Sequence, residues 1–195
     1  LAAKGAVVVT FNYRLGAFGF FAHPDLAKES GRNATGNYGM MDAIAALQWV
    51  KRNIGAFGGD PNNVTVFGES AGANMTSAIV GSPQAKGLFH RAIVQSGAWM
   101  GMSMGRMTTL ASAEAAGAKA ASDIGAAAIA DLRAKPAQEI HATLRAPASL
   151  VVDGYYIPED LSLTFTNGRQ NAVDVLVGSN QDEGTFFPRP GLTAQ

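Results

Sequence analysis

Val64-Thr65-Val66-Phe67-Gly68-Glu69-Ser70-Ala71-Gly72 is the stretch that decides the fold. Its first four residues, β-branched and aromatic, predict a short buried strand, and the following Ala73-Asn74-Met75-Thr76-Ser77-Ala78-Ile79-Val80 is long enough for about two helical turns. A Gly-x-Ser-x-Gly between strand and helix is a nucleophile elbow: the serine sits on a turn so tight that its backbone is strained and its hydroxyl projects from the sheet edge. Side chains two residues before and two after the serine would collide as strand and helix pack, so Gly68 and Gly72 are expected as the structural glycines of the turn. Ser70 is the candidate nucleophile. The five-residue pattern alone arises often by chance in a chain with 23 glycines, so the flanking strand and helix carry much of its weight.

Outward from the elbow, Ala6-Val7-Val8-Val9-Thr10-Phe11-Asn12-Tyr13 has the nearly continuous apolar composition of a central parallel strand. A Gly-, Asn-, Ser- and Pro-bearing loop is expected over 17–37. Met40, Ile44, Leu47 and Lys51 then fall at helical spacing, with Met41, Ala45 and Trp49 broadening the apolar stripe, which predicts a helix over 38–54. Gly58-Gly59-Asp60-Pro61 stops it, and Ala92-Ile93-Val94-Gln95-Ser96 predicts another strand. In the alanine-rich 111–130, interruptions at Gly117 and Gly125 predict two short helices. Met102, Met104 and Met107 are expected to fill gaps in an apolar region. Strands are expected over 150–154 and 172–177. Strand alternating with helix predicts a mostly parallel α/β sheet with helices on both faces, and function just past the carboxyl ends of its strands.

Composition narrows the function. Of the 195 residues, 47% are hydrophobic and 15% charged, as in a globular domain, and the formal charge is zero. No basic run or aromatic–basic interleaving appears, which argues against nucleic acid as a partner. No apolar stretch approaches the roughly 18–20 residues that cross a bilayer. The chain has no cysteine, which excludes a thiol nucleophile and cysteine-ligated metal.

A serine hydroxyl needs a base to take its proton, a carboxylate to orient that base, and N–H donors for the oxyanion. Asp182-Glu183-Gly184, just past a predicted strand, supplies Asp182 or Glu183 as the acid. In enzymes with such an elbow the order is Ser, acid, His. The three histidines, His23, His90 and His141, all precede Glu183. Each is expected to be a surface or loop residue, and the base is expected beyond Gln195.

Several ordered stretches together are similar to the type-B carboxylesterases, the family of cholinesterases, liver carboxylesterases and bacterial para-nitrobenzyl esterases. They are Phe11-Asn12-Tyr13-Arg14-Leu15-Gly16-Ala17-Phe18-Gly19-Phe20, Gly36-Asn37-Tyr38-Gly39-Met40-Met41-Asp42, Ala46-Leu47-Gln48-Trp49-Val50, and Phe57-Gly58-Gly59-Asp60-Pro61. The elbow, Arg91-Ala92-Ile93-Val94-Gln95-Ser96-Gly97, Asp153-Gly154 with Pro158, and Gly178-Ser179-Asn180-Gln181-Asp182-Glu183-Gly184 complete the set. Residues 100–149 diverge. The resemblance implies an α/β-hydrolase fold, here its central portion over 1–195, truncated at both ends. It implies a Ser-Glu-His triad using Ser70 and Glu183, with Asp182 structural, and the N–H of Ala71 in the oxyanion hole. The other oxyanion donors are expected before Leu1. It places Glu69 beside the acyl and leaving-group site with Ser96 able to hydrogen-bond it, and makes Arg14–Asp42 a buried salt bridge. It implies no metal or organic cofactor.

The expected activity is hydrolysis of a small-molecule carboxylic ester through an acyl-enzyme, and the isolated 195-residue piece is expected to be inactive. The alternative is a non-catalytic adhesion protein of the neuroligin kind, a group that keeps the fold and loses the serine. Composition, and loops such as His23-Pro24-Asp25-Leu26, look most like the bacterial members. Both a cytoplasmic and a secreted or periplasmic location stay open.

Overall fold

The computed structural model describes residues 1–97, 107–145 and 149–183. The elements follow in the order α1 (Gly16–Phe20), α2 (Pro24–Glu29), α3 (Tyr38–Asn53), β1 (Thr65–Glu69), α4 (Ala71–Gly81) and β2 (Arg91–Gln95). After them come β3 (Thr108–Thr109), α5 (Leu110–Asp123), α6 (Ile129–Ala134), α7 (Ala137–Thr143), β4 (Val151–Val152), α8 (Leu161–Thr166) and β5 (Asp174–Gly178). Met102 and Met104 lie outside the described residues, whereas Met107 is buried.

Three strands form a parallel sheet in the order β1-β2-β5. Phe67, Ile93 and Leu176 stand in register across it, as do Val66, Ala92 and Val175 one residue earlier. Adjacent residues of a strand point to opposite faces. The Val66 face joins the main core, packing with Ala78, Ile79 and Val80 of α4 and with Met40, Ala43, Ile44 and Leu47 of α3. On the other face Phe67 and Leu176 are exposed. The short parallel pair β3–β4 makes a second sheet.

Expectation and structure part in several places. Residues 6–13 form no strand: Val7, Val8, Val9 and Phe11 stay 39–46% exposed, and no strand among the described residues pairs with them. Strand propensity reflects fit to a pleated, half-buried surface, and a run without a neighbouring ladder has none. The expected loop over 17–37 holds two short helices. Pro24 starts α2 with its fixed φ, and His23 caps it, Nδ1 accepting the Asp25 N–H at 3.1 Å. His23, in the link between α1 and α2, is buried: of the surface or loop position expected, it takes the loop. In α3 the stripe is narrower than expected. Trp49 is exposed and packs instead on Phe57, ring centroids 5.6 Å apart.

Gly117 does not break the alanine-rich segment; α5 runs through it. A Cβ there would stand 1.8 Å from the Ala22 carbonyl oxygen, so glycine permits a close approach of helix and chain that alanine would block. Gly125, in the left-handed region at φ 74°, lies just past the end of α5.

Polar side chains tie these pieces together, some across the chain and one within a single turn. The buried Asn37 amide mimics a strand partner for Val151, donating to its carbonyl at 2.8 Å and accepting its N–H at 3.0 Å. Asp153 Oδ1 accepts from the N–H groups of Tyr155, Tyr156 and Ile157 at 2.9–3.0 Å. Arg14 and Asp42 form a two-pronged pair at 2.7 and 2.8 Å. The Arg14 side chain is 50% exposed and that of Asp42 26%, so the pair is not the buried bridge expected.

Candidate active site

Main-chain hydrogen bonds carry the sheet's order right into the elbow. The last register triple is Glu69, Gln95 and Gly178. One residue further, the Ser70 N–H donates to the Gln95 carbonyl at 2.9 Å and the Ser96 N–H donates to the Gly178 carbonyl at 2.8 Å. Both serines thus hang from the final rungs at the carboxyl end of a parallel sheet, where crossover helices leave room for a site. Both leave the strand with positive φ, 51° at Ser70 and 58° at Ser96. With ψ at −114°, Ser70 lies outside even the small left-handed region open to ordinary residues, a conformation that costs on the order of 1–3 kcal/mol. It is exposed.

Gly68 explains how the turn closes. A Cβ there would lie 2.3 Å from the Gly72 carbonyl oxygen and 2.9 Å from its Cα. The two glycines are not equivalent, however: a Cβ on Gly72 would meet nothing within 4 Å. The expected collision is one-sided, with Gly68 yielding to the Gly72 backbone. Gly97, with no role assigned from sequence, belongs to the same packing, since its Cβ would lie 2.8 Å from the Ser70 carbonyl oxygen. Its place directly after Ser96 is the signal that could have marked it.

Ala71 opens α4, where an N–H has no acceptor within the helix and points toward whatever sits over the turn. Glu69 is exposed at the end of β1. Ser96 hydrogen-bonds Glu183, donating its hydroxyl to Oε1, whereas the resemblance pairs it with Glu69. The same Oε1 accepts the Asn180 N–H at 2.6 Å. These two donors, the Ser96 hydroxyl first, hold the Glu183 carboxyl below the usual range by stabilising its charged form. The Asn180 contribution was not legible in the sequence, because it depends on how the chain turns after β5.

Ser70 leaves β1, Glu183 follows β5, and β2 lies between. The two outer strands are thus two inter-strand steps apart, about 10 Å between their backbones. Among the described residues, the histidines are engaged elsewhere or make no hydrogen bond to Ser70 or Glu183. His23 caps α2, and His90 Nδ1 accepts the Val64 N–H at 3.1 Å. An apolar groove of about 240 Å³ between α1–α2 and α6–α7, lined by Phe18, Phe21, Leu26, Ile129 and Ile140, contains none of the candidate site residues. Among the described residues no helix is long and apolar enough to cross a membrane.

Known proteins share this arrangement of sequence and fold. The chain is 43% identical over 194 residues to the fumonisin B1 esterase of Sphingopyxis macrogoltabida, covering 96% of this chain and 35% of that protein. It is 39% identical over 196 residues to human neuroligin-2, covering 96% of this chain and 23% of that protein. The solved structure of a thermophilic PNB esterase superposes with a TM-score of 0.78 at 34% identity, over 93% of this chain and 38% of that one. This chain therefore spans well under half the length of these relatives, and its fold is that of an α/β-hydrolase. The model of the carboxylesterase family matches residues 1–194, and the chain belongs to that family.

Proposed function

We propose that the full-length protein hydrolyses carboxylic esters of small molecules through Ser70. The observation that carries this is the strained Ser70 turn on the same sheet end as Glu183, with Ser96 spanning the strand between them. The Ser70 oxygen attacks the ester carbonyl carbon as its proton passes to a histidine that this chain does not supply. The Ala71 N–H faces the resulting oxyanion. Collapse expels the alcohol, which takes the proton from the imidazole, and leaves an acyl group on Ser70. Water, deprotonated by the same histidine, releases the acid. Glu183 orients the imidazole and stabilises its charged form, and its lowered carboxyl range keeps it ionised for that role. Glu69, exposed one residue before the nucleophile, sits where it could influence charge near the leaving group.

The test is covalent labelling. An organophosphonate should modify the full-length protein at Ser70 and stop turnover of short acyl esters. Normal turnover after Ser70→Ala would refute the assignment. The 195-residue chain alone should show no turnover, because among the described residues none of its three histidines hydrogen-bonds Ser70 or Glu183. The likeness to neuroligin-2 supports the adhesion alternative. The presence of Ser70, and of Glu183 held by Ser96, counts against it.

A further inference from the structure

Asn74 lies one helical turn beyond Ser70 in α4, and its N–H donates to the Ser70 carbonyl at 3.0 Å. Its side-chain oxygen is buried and has no hydrogen-bond partner among the described residues. A buried amide oxygen left unpaired weakens a fold, so its presence calls for a use. That oxygen faces Gly97. A Cβ on Gly97 would stand 3.0 Å from Asn74 Oδ1, 2.8 Å from the Ser70 carbonyl oxygen and 3.3 Å from Ala73 Cβ. Gly97 thus packs close against two oxygens of the first turn of α4, with no room for a side chain between them. Ser96, immediately before it, bends through φ 58° and hands its hydroxyl to Glu183.

We infer that Asn74 is a positioning residue for the ester hydrolysis proposed above, seating the Ser96–Gly97 turn against the nucleophile elbow so that Ser96 stays aimed at Glu183. The inference rests on that functional reading. Among the described residues no hydrogen bond joins the Asn74 side chain to Ser70 Oγ or to the carboxylate; it acts through Gly97 and Ser96. A bulkier or apolar group in its place displaces the turn, and the spacing between the nucleophile and the acid changes with it.

The experiment is a double-mutant cycle in the full-length enzyme, with a short-chain p-nitrophenyl ester as substrate. Leucine has the branched outline of asparagine, with two methyl groups in place of the amide, and removes the unpaired oxygen. Asn74→Leu should therefore leave Tm unchanged or raised while kcat falls roughly tenfold or more and KM holds. Asn74→Ala serves as a second variant should leucine prevent folding, and should lower kcat in the same way. In a Ser96→Ala background neither substitution should lower kcat further, because both act on one linkage. Near-normal kcat in a folded Asn74 variant, or an undiminished loss in the Ser96→Ala background, overturns the inference whatever happens to Tm. Turnover surviving Ser70→Ala would instead overturn the serine assignment, and the two failures are distinct.

Discussion

Ser96 gives its hydroxyl to Glu183 from a residue that leaves the middle strand of the sheet, while the neighbouring Ser70 is held by the carbonyl of Gln95 on that same strand. One strand therefore references both the candidate nucleophile and the candidate acid. Main-chain hydrogen bonds fix where the two serines leave the sheet, and Glu183 joins that frame through the Ser96 hydroxyl and the Asn180 N–H.

The first prediction concerns the Glu183 charge. Followed by carboxyl-carbon NMR, Glu183 should titrate below the ordinary glutamate range, because the Ser96 hydroxyl and the Asn180 N–H favour its ionised form. Ser96→Ala removes the larger influence, so the midpoint should rise toward the unperturbed value of about 4.3. A midpoint that does not move on that substitution would show that the hydroxyl does not hold the carboxylate.

The elbow glycines should respond differently to alanine. Gly68→Ala forces a Cβ into the Gly72 backbone and should cost about 1–3 kcal/mol or more, with loss of organophosphonate labelling. Gly72→Ala meets open space inside a helix, so stability should hold or rise by about 0.5–1 kcal/mol. Equal losses in urea unfolding would contradict the one-sided contact.

Gly117→Ala sets two effects against each other. Helix propensity favours alanine by about 1 kcal/mol in a helix interior. The collision with the Ala22 carbonyl, 1.8 Å from the new Cβ, should outweigh that and destabilise by about 1–3 kcal/mol net. A stabilised variant would mean the two segments separate easily.

Asn37→Ala should be the most damaging of the polar substitutions. It leaves the buried Val151 N–H and carbonyl without their partners, for about 2–4 kcal/mol in denaturant unfolding. A loss under 1 kcal/mol, roughly one ordinary hydrogen bond, would argue that water replaces the amide.

Asp42→Asn tests the exposed ion pair. The Arg14 side chain holds the Asp42 carboxyl below its usual range, chiefly by hydrogen bonding, so its contribution is present at neutral pH. With the arginine half in solvent, the effect should be only about 0.5–1 kcal/mol. A lowered native carboxyl contributes above the unfolded pKa of about 3.9 and is lost as pH falls through the native value. The stability gap between the two proteins should therefore be flat between neutral pH and about pH 5, and should close below about pH 4. A gap that widened on acidification would contradict the pairing.

What could be read from residues alone was local. Gly68, Ser70 and the strand and helix around them are specified by neighbours in sequence, so the elbow was legible, with β1 and α4 within a few residues of expectation. Ser96 was a candidate only through the family resemblance, which paired it with Glu69; its bond to Glu183 spans 87 positions and depends on β2 and β5 being adjacent. The run at 6–13 has strand composition, yet a strand is a relation between two segments. Gly117 resembled a helix breaker because its reason lies in Ala22, far away in sequence. The cap of α2 was in principle legible: Pro24 at the first helical position and Asp25 in the first turn are start signals.

Because both serines are suspended from main-chain rungs, the strands fix where each of them leaves the sheet. Under the proposed ester hydrolysis, exchanging side chains away from these rungs should retune selectivity for the acyl or alcohol moiety while the two serines keep their places. A library built on this scaffold can therefore diversify the rim broadly, provided Gly68, Gly97 and the terminal rungs of β1, β2 and β5 are held constant.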